Sequence, residues 1–561
     1  MTFQIPQNKC SLNVQGLGTI DGWHYADGVE QYCGIPYADL RKRWTRSELK
    51  TSWPGRYHDG TQLGNNCPRP QVSGSDSSPI NPFIPVPPNP TFTRTPISDE
   101  KTALILNIVT AQRPSVKSTH QKLPVFVWIH GGSLLFGSAN YGIYDTVNLV
   151  SHSIAARLPI VTVSINYRLG LGGFLAGAKI GEELRRDGFA GNGNFGFTDQ
   201  KVALDWVQEY IEDFGGDPGN VTVVGQSAGG VSIGHHMASN HPMKFHRAVC
   251  MSGLGPTLRA MSLENHEEIF HSACHYFSID PHTQDALDQL RRVDQQALAD
   301  ADIIIQGGTA DTGNPCLDGW FYAHEPQDLT EAPSWVKSFM FGDVHDEGVI
   351  FVQKLLKDTY DIIRDTLMKD VQDEAFLDAV FREYGIAADL APELLLARAC
   401  LMAAEAVFQI QNYQTGIVNE RLRGEGELFK YHFDQCSHIP NILNGKSYHG
   451  FDVIYLFRNL DTQLSEVERE MASDLQTAWL RFAHGLAPWQ REIHTSIWKI
   501  WGPDSRENVE TEEPDEAARH YSRFKRILSL GSGGLWERYL KGLDSLIMKR
   551  GDIGHFDEDG V

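Results

Sequence analysis

Apolar residues in this chain gather into short runs separated by longer amphipathic stretches. The runs "PVFVWI" (124–129), "PIVTVSI" (159–165), "VTVV" (221–224), "RAVCM" (247–251) and "VKSFMF" (336–341) read as buried parallel strands. Between the second and third lies "TDQKVALDWVQEYIEDFGG". There Ala203, Val207, Tyr210, Ile211 and Phe214 fall at helical spacing and make one apolar face. Thr198 is the expected N-cap of this helix and Gly215-Gly216 its stop. Strands alternating with helices predict an α/β fold with a mostly parallel, doubly wound sheet and right-handed crossovers.

Two regions break the alternation. Residues 73–96 hold seven prolines between Pro79 and Pro96 and are expected to form a looped segment rather than core. Residues 350–425 are helix-like almost throughout and read as a cap laid over one end of the sheet. No internal repeat is visible, so residues 1–561 are read as a single domain elaborated by that cap.

The third strand run stops abruptly at Gly225-Gln226-Ser227-Ala228-Gly229, a G-x-S-x-G pattern. Such a strand-to-helix turn leaves no room for side chains at its glycines and pushes the serine Oγ out to where a carbonyl can reach it. An acyl-transfer serine also needs a base and donors for the developing oxyanion. The donors are expected from Ala228 and from a glycine-rich turn after an earlier strand, His130-Gly131-Gly132-Ser133. The acid should follow a later strand, where "GDVHDEGVIF" offers Asp343, Asp346 and Glu347. Seven histidines lie beyond it, and His449 stands between loop-like and regular sequence in "NGKSYHGFDVIYLF".

Composition narrows the partners. The chain carries 49 Lys and Arg against 71 Asp and Glu, a net charge of −22, so nucleic acid is not an expected partner. No apolar run is long enough to span a membrane. The eight cysteines include no C-x-x-C pair, and His235, His236, His241 and His246 are read as packing or surface residues, so neither metal nor cofactor is expected. With no secretory signal in "MTFQIPQNKCSLNVQ", a cytoplasmic location is the expectation.

The ordered motifs "YCGIPYADLRKRW", "GNNCPRP", "VFVWIHGG", "INYRLGLGGFL", "VTVVGQSAGG", "FHRAVCMSG", "GDVHDEGVIF" and "YHGFDVIYLF" resemble the type-B carboxylesterases, the superfamily of carboxylesterases, cholinesterases and fungal lipases. The resemblance spans roughly residues 15–540 and implies an α/β-hydrolase fold with helical cap insertions over an active-site gorge. It implies Ser227, Glu347 and His449 as the triad and Gly132, Ser133 and Ala228 as oxyanion-hole donors. It also implies an ion pair between Arg168 and Asp199. Substrate contacts are expected from Leu134, Gln226 and Phe83.

Three positions depart from the family pattern. Ser133 replaces the last glycine of HGGG, and Gln226 replaces the glutamate of GESAG. Ala103 stands where an early disulfide partner of Cys67 would be. The expected reaction is hydrolysis of an uncharged, bulky ester or lactone through a serine acyl-enzyme. The same acyl-enzyme could instead pass its acyl group to another acceptor or cyclise, and silent binding modules also occur in the superfamily. The oligomeric state is not legible from the sequence.

Overall fold

The computed structural model describes residues 3–71, 89–111, 122–307, 310–322, 329–422, 427–489 and 497–547. Phe83 and most of the proline-rich stretch lie outside the described residues. A 13-stranded sheet organises the rest. In chain order its strands are β1 (Asn8–Val14), β2 (Gly18–His24), β3 (Val29–Pro36), β4 (Tyr57–Asp59), β5 (Ile105–Ala111), β6 (Leu123–Ile129), β7 (Val161–Ile165), β8 (Gly216–Gln226), β9 (Arg247–Met251), β10 (Ser338–Val344), β11 (Leu428–Phe433), β12 (Ile497–Trp501) and β13 (Glu507–Thr511). The spatial order is β1-β2-β3-β5-β7-β6-β8-β9-β10-β11-β12-β13, with β4 beside β2. From β7 to β12 every neighbouring pair is parallel, and antiparallel strands flank this block on both sides.

The sheet is apolar on both faces because its strands bury alternate residues in two separate cores. Val125, Val127, Ile129, Val221 and Val223 join one core, and Phe126, Trp128, Val224, Val249 and Met251 join the other. This period of two in continuous apolar runs accounts for the strands read from the sequence. β10 starts two residues later than expected because the Val336 N–H is spent in a turn on the Pro333 carbonyl. It also runs further, pairing Asp343 with His432 and Val344 with Phe433.

The helix read as starting at Thr198 is α1, Phe195–Tyr210. Its N-cap is Asn194, in the left-handed region at φ 59°, with the side chain spent on the Cys316 backbone. Thr198 instead sits inside the first turn and donates to the Phe195 carbonyl. The stop lies where expected, at Gly215 with φ 92°.

After the elbow comes α2 (Ala228–Met237). Between β10 and β11 the chain forms α3 (Tyr360–Val371), α4 (Glu374–Tyr384), α5 (Pro392–Ala404) and α6 (Ile410–Leu422). Thr359 and Asp373 cap α3 and α4 through their side-chain oxygens, and Pro392 opens α5. A further helix, α7 (Phe451–Phe457), follows His449. β7 and β8 lie on opposite sides of β6, so the chain changes direction there. In open α/β sheets the crevice at the carboxyl ends of such strands is where ligands bind.

Candidate active site

β8 delivers Ser227 to that crevice. The serine adopts φ 55° and ψ −126°, a conformation that a non-glycine residue holds only when its surroundings impose it. Its N–H donates to the Met251 carbonyl at 2.8 Å. A Cβ on Gly225 would lie 2.3 Å from the Gly229 carbonyl carbon, and one on Gly229 would lie 2.0 Å from the Ile129 carbonyl oxygen. Both glycines are therefore obligatory for the close crossing of β8, α2 and β6. Within Val221–Gly230 every residue is buried except Ser227, which is half-buried.

The glycine turn after β6 packs directly on this elbow, since a Cβ on Gly131 would come within 2.9 Å of the Ser227 Cβ. Gly132, Ser133 and Leu134 follow at φ 118°, 55° and 58°. Consecutive left-handed residues turn successive N–H groups to one side. Among the described residues, the N–H groups of Gly132, Ser133 and Ala228 make no hydrogen bond within the protein. Unpaired backbone donors are uncommon in folded chains; Ala228 directly follows the serine, and Gly132 and Ser133 continue the turn whose Gly131 packs on it.

The expected base and acid come from two later loops. A bridge between Asp346 and Tyr448 ties the loop after β10 to the loop before α7. His449 Nδ1 lies 2.5 Å from Glu347 Oε2, and both residues are buried. The other oxygen of Glu347 accepts the Val344 N–H at 3.0 Å. The two competing carboxylates are committed elsewhere. Asp343 is bound by His432, Asn412 and Arg519, and Asp346 by the Ser447 N–H and Lys446. His432 is spent as well, stacked on Trp498 and hydrogen-bonded to Asp343 and Tyr521.

Two of the expected substrate contacts are buried in the structure. Leu134 is fully buried in the core beneath the turn, so its side chain offers no surface to a ligand. Gln226 is fully buried too, and its side-chain nitrogen lies 3.1 Å from His449 Nε2. Both follow from geometry: the turn folds Leu134 inward, and Gln226 is the last residue of a strand sandwiched between two others.

A residue not anticipated from the sequence is Asp452, in the first turn of α7. It is completely buried, accepts one hydrogen bond from Tyr431 at 3.0 Å and leaves Oδ1 without a partner. Burial pushes its carboxyl up to about 7; the nearby Glu347 adds to the shift and Tyr431 and His449 oppose it. The only sequence signal was a lone carboxylate inside the apolar run "FDVIYLF".

The expected ion pair is present. Arg168 meets Asp199 through two bonds of 2.7 Å, while Ser47 and the Thr45 carbonyl satisfy the remaining polar groups. Cys67 is buried and free, with its sulfur 3.9 Å from the carbonyl of Ala103. His235 and His236 engage Tyr322, Leu258 and Gln200 through ring nitrogens, consistent with packing roles.

A doubly wound sheet with a strained serine at its switch point defines the class, an α/β-hydrolase. The chain belongs to the carboxylesterase family, whose model matches residues 9–526, and it is a carboxylic ester hydrolase. It is 31% identical over 498 residues to Lipase 3 of Yarrowia lipolytica, covering 86% of this chain and 90% of that protein. To the para-nitrobenzyl esterase of Bacillus subtilis it is 27% identical over 501 residues, covering 86% and 91%. An inactive carboxylesterase-like protein of Byssochlamys spectabilis, VdtD, is 29% identical over 364 residues, covering 62% and 57%. A solved PNB esterase structure aligns with a TM-score of 0.70 at 25% identity, covering 92% of this chain and 99% of the other.

Proposed function

We propose that the enzyme hydrolyses an uncharged, bulky ester or lactone by a two-step acyl transfer. Ser227 Oγ attacks the carbonyl while His449 Nε2 takes its proton, and Glu347 holds the imidazole in the tautomer with Nδ1–H. The N–H groups of Gly132, Ser133 and Ala228 receive the oxyanion, each donor contributing about 10²–10³ in kcat. His449 then returns the proton to the leaving alcohol, and water releases the acid by the reverse path. The buried 2.5 Å Glu347–His449 bond, with His449 Nε2 3.1 Å from the side chain of the residue before the strained Ser227, carries this reading. A silent binding module would have no need of it.

A fluorophosphonate probe should label Ser227, and Ser227→Ala should lose on the order of 10⁴–10⁶ in kcat while staying folded. An adduct mapped by mass spectrometry to another residue would overturn the assignment. The proposal extends to a reducing compartment such as the cytoplasm, because all eight cysteines are free in the structure. Thiol titration of the denatured, unreduced protein should count close to eight.

A further inference from the structure

The single acceptor on the candidate base is already occupied. With Nδ1–H committed to Glu347, His449 Nε2 carries one lone pair, and only the NH₂ end of the Gln226 carboxamide can face it. That settles which end of the amide points where. The other end, Oε1, is buried without a partner, lodged where a Cβ on Gly131 would come within 2.9 Å of it. A buried acceptor left unpaired is uncommon. Here it is the consequence of turning the donor end towards the imidazole.

We propose that Gln226 is a positioning residue that latches the base of the resting enzyme, occupying the lone pair of His449 Nε2 until substrate engages Ser227. The inference rests on the serine-esterase reading above. Nε2 cannot accept from Ser227 Oγ–H and from the carboxamide at once. The Ser227 O–H bond therefore breaks and Oγ bonds to the ester carbonyl carbon, whose C=O π pair moves onto its oxygen, as the amide lets go and the proton passes to the freed lone pair. The latch has a second consequence. In the orientation seen here, a proton on Nε2 would face an amide N–H, donor against donor. The other groups facing the imidazole are Glu347 at Nδ1, Asp452 with its Tyr431 partner on the α7 side, and the uncharged ring of Phe408 from the cap.

The test is the pH profile of kcat/KM on a neutral p-nitrophenyl ester for wild type, Gln226→Met and Gln226→Glu, since that profile reports the base of the free enzyme. Methionine keeps the volume and removes the donor, so the acid limb should move up by about half a pH unit or more. Glutamate replaces the donor with a carboxylate that accepts from the imidazolium, and should move it up further, by about one pH unit or more. The order Gln, Met, Glu from lowest to highest supports the latch. Superimposable profiles, or any other order, would overturn it, including the case where only thermal stability or kcat changes. If fluorophosphonate fails to label Ser227 in the wild type, the serine-esterase reading falls with it. Labelling with unmoved profiles removes the latch alone.

Discussion

Glu347 grips the chain with one carboxylate oxygen and His449 with the other, accepting the Val344 N–H at 3.0 Å and facing Nδ1 at 2.5 Å. The arrangement fixes both the ring and its tautomer. In Glu347→Gln the side-chain oxygen would stay on Val344 and an NH₂ group would face Nδ1, forcing the proton onto Nε2, where the imidazole can no longer act as a base. We expect kcat to fall by about 10²–10⁴ with KM nearly unchanged. Steady-state kinetics on a chromogenic ester check this, and a loss confined to KM would contradict it.

The Arg168–Asp199 pair is buried at 3% and 0% exposure, so it acts as a unit. Asp199→Ala leaves a guanidinium buried without its counter-ion, which costs about 3–5 kcal/mol. Arg168→Met combined with Asp199→Leu should lose less than that single change, because no charge is stranded. Urea unfolding of the three proteins measures the difference.

Much of this was readable from the chain, for a definite reason. Strands buried on both faces are written as continuous apolar runs, so "RAVCM" matches β9 residue for residue. The elbow announces itself because only glycine tolerates the contacts at Gly225 and Gly229. What escaped was anything decided by which side a polar residue faces. Asp343, Asp346 and Glu347 stand within five positions, and their separate partners come from β11, the Ser447 loop and His449. Thr198 has the chemistry of an N-cap, yet the Asn194 bonds to Cys316, 122 residues away, start the helix earlier. Gln226 adjoins the serine, and at a strand end between two neighbours its side chain turns inward to His449, which the sequence could not show.

Asp452 makes stability depend on pH. Its carboxyl is raised to about 7 in the folded protein. Between the ordinary aspartate range and that value the folded state holds a proton that the unfolded chain has released. Stability therefore falls as pH rises through this window, roughly pH 4 to 7. Asp452→Asn keeps an acceptor for Tyr431 and cannot ionise. Its Tm should decline less than that of wild type between pH 4.5 and 7.5, as scanned by differential fluorimetry. Parallel curves would show that the carboxyl is not raised.

Ser133 sits exposed at φ 55°, a region that costs a non-glycine residue about 1 kcal/mol. Ser133→Gly should therefore hold or raise Tm. The backbone N–H remains, so activity on short acyl esters should persist. Removing the Cβ and hydroxyl beside the carbonyl site should improve esters of bulky acids. Loss of activity on every ester would mean that the hydroxyl itself is a donor.

The last prediction concerns the charge of the substrate. Holding a quaternary ammonium takes an aromatic face, preferably with a carboxylate near it. The residue before Ser227 is the neutral Gln226, and its carboxamide is turned to His449 rather than to open space. The two carboxylates around His449 are no better placed. Glu347 is committed to the imidazole, and Asp452 is completely buried with its carboxyl pushed up to about 7. The loop after Cys67 contains Phe83 and Phe92 but no tryptophan. Neither the residue before Ser227 nor the sequence of that loop supplies the carboxylate and indole that would hold a cation. We expect kcat/KM for p-nitrophenyl butyrate to exceed that for butyrylthiocholine by at least about tenfold, the scale of one modest cation–π contact foregone. Equal or faster turnover of the choline ester would refute this. It would mean that Phe83, Phe92 or another aromatic lines the site as a seat for the ammonium group.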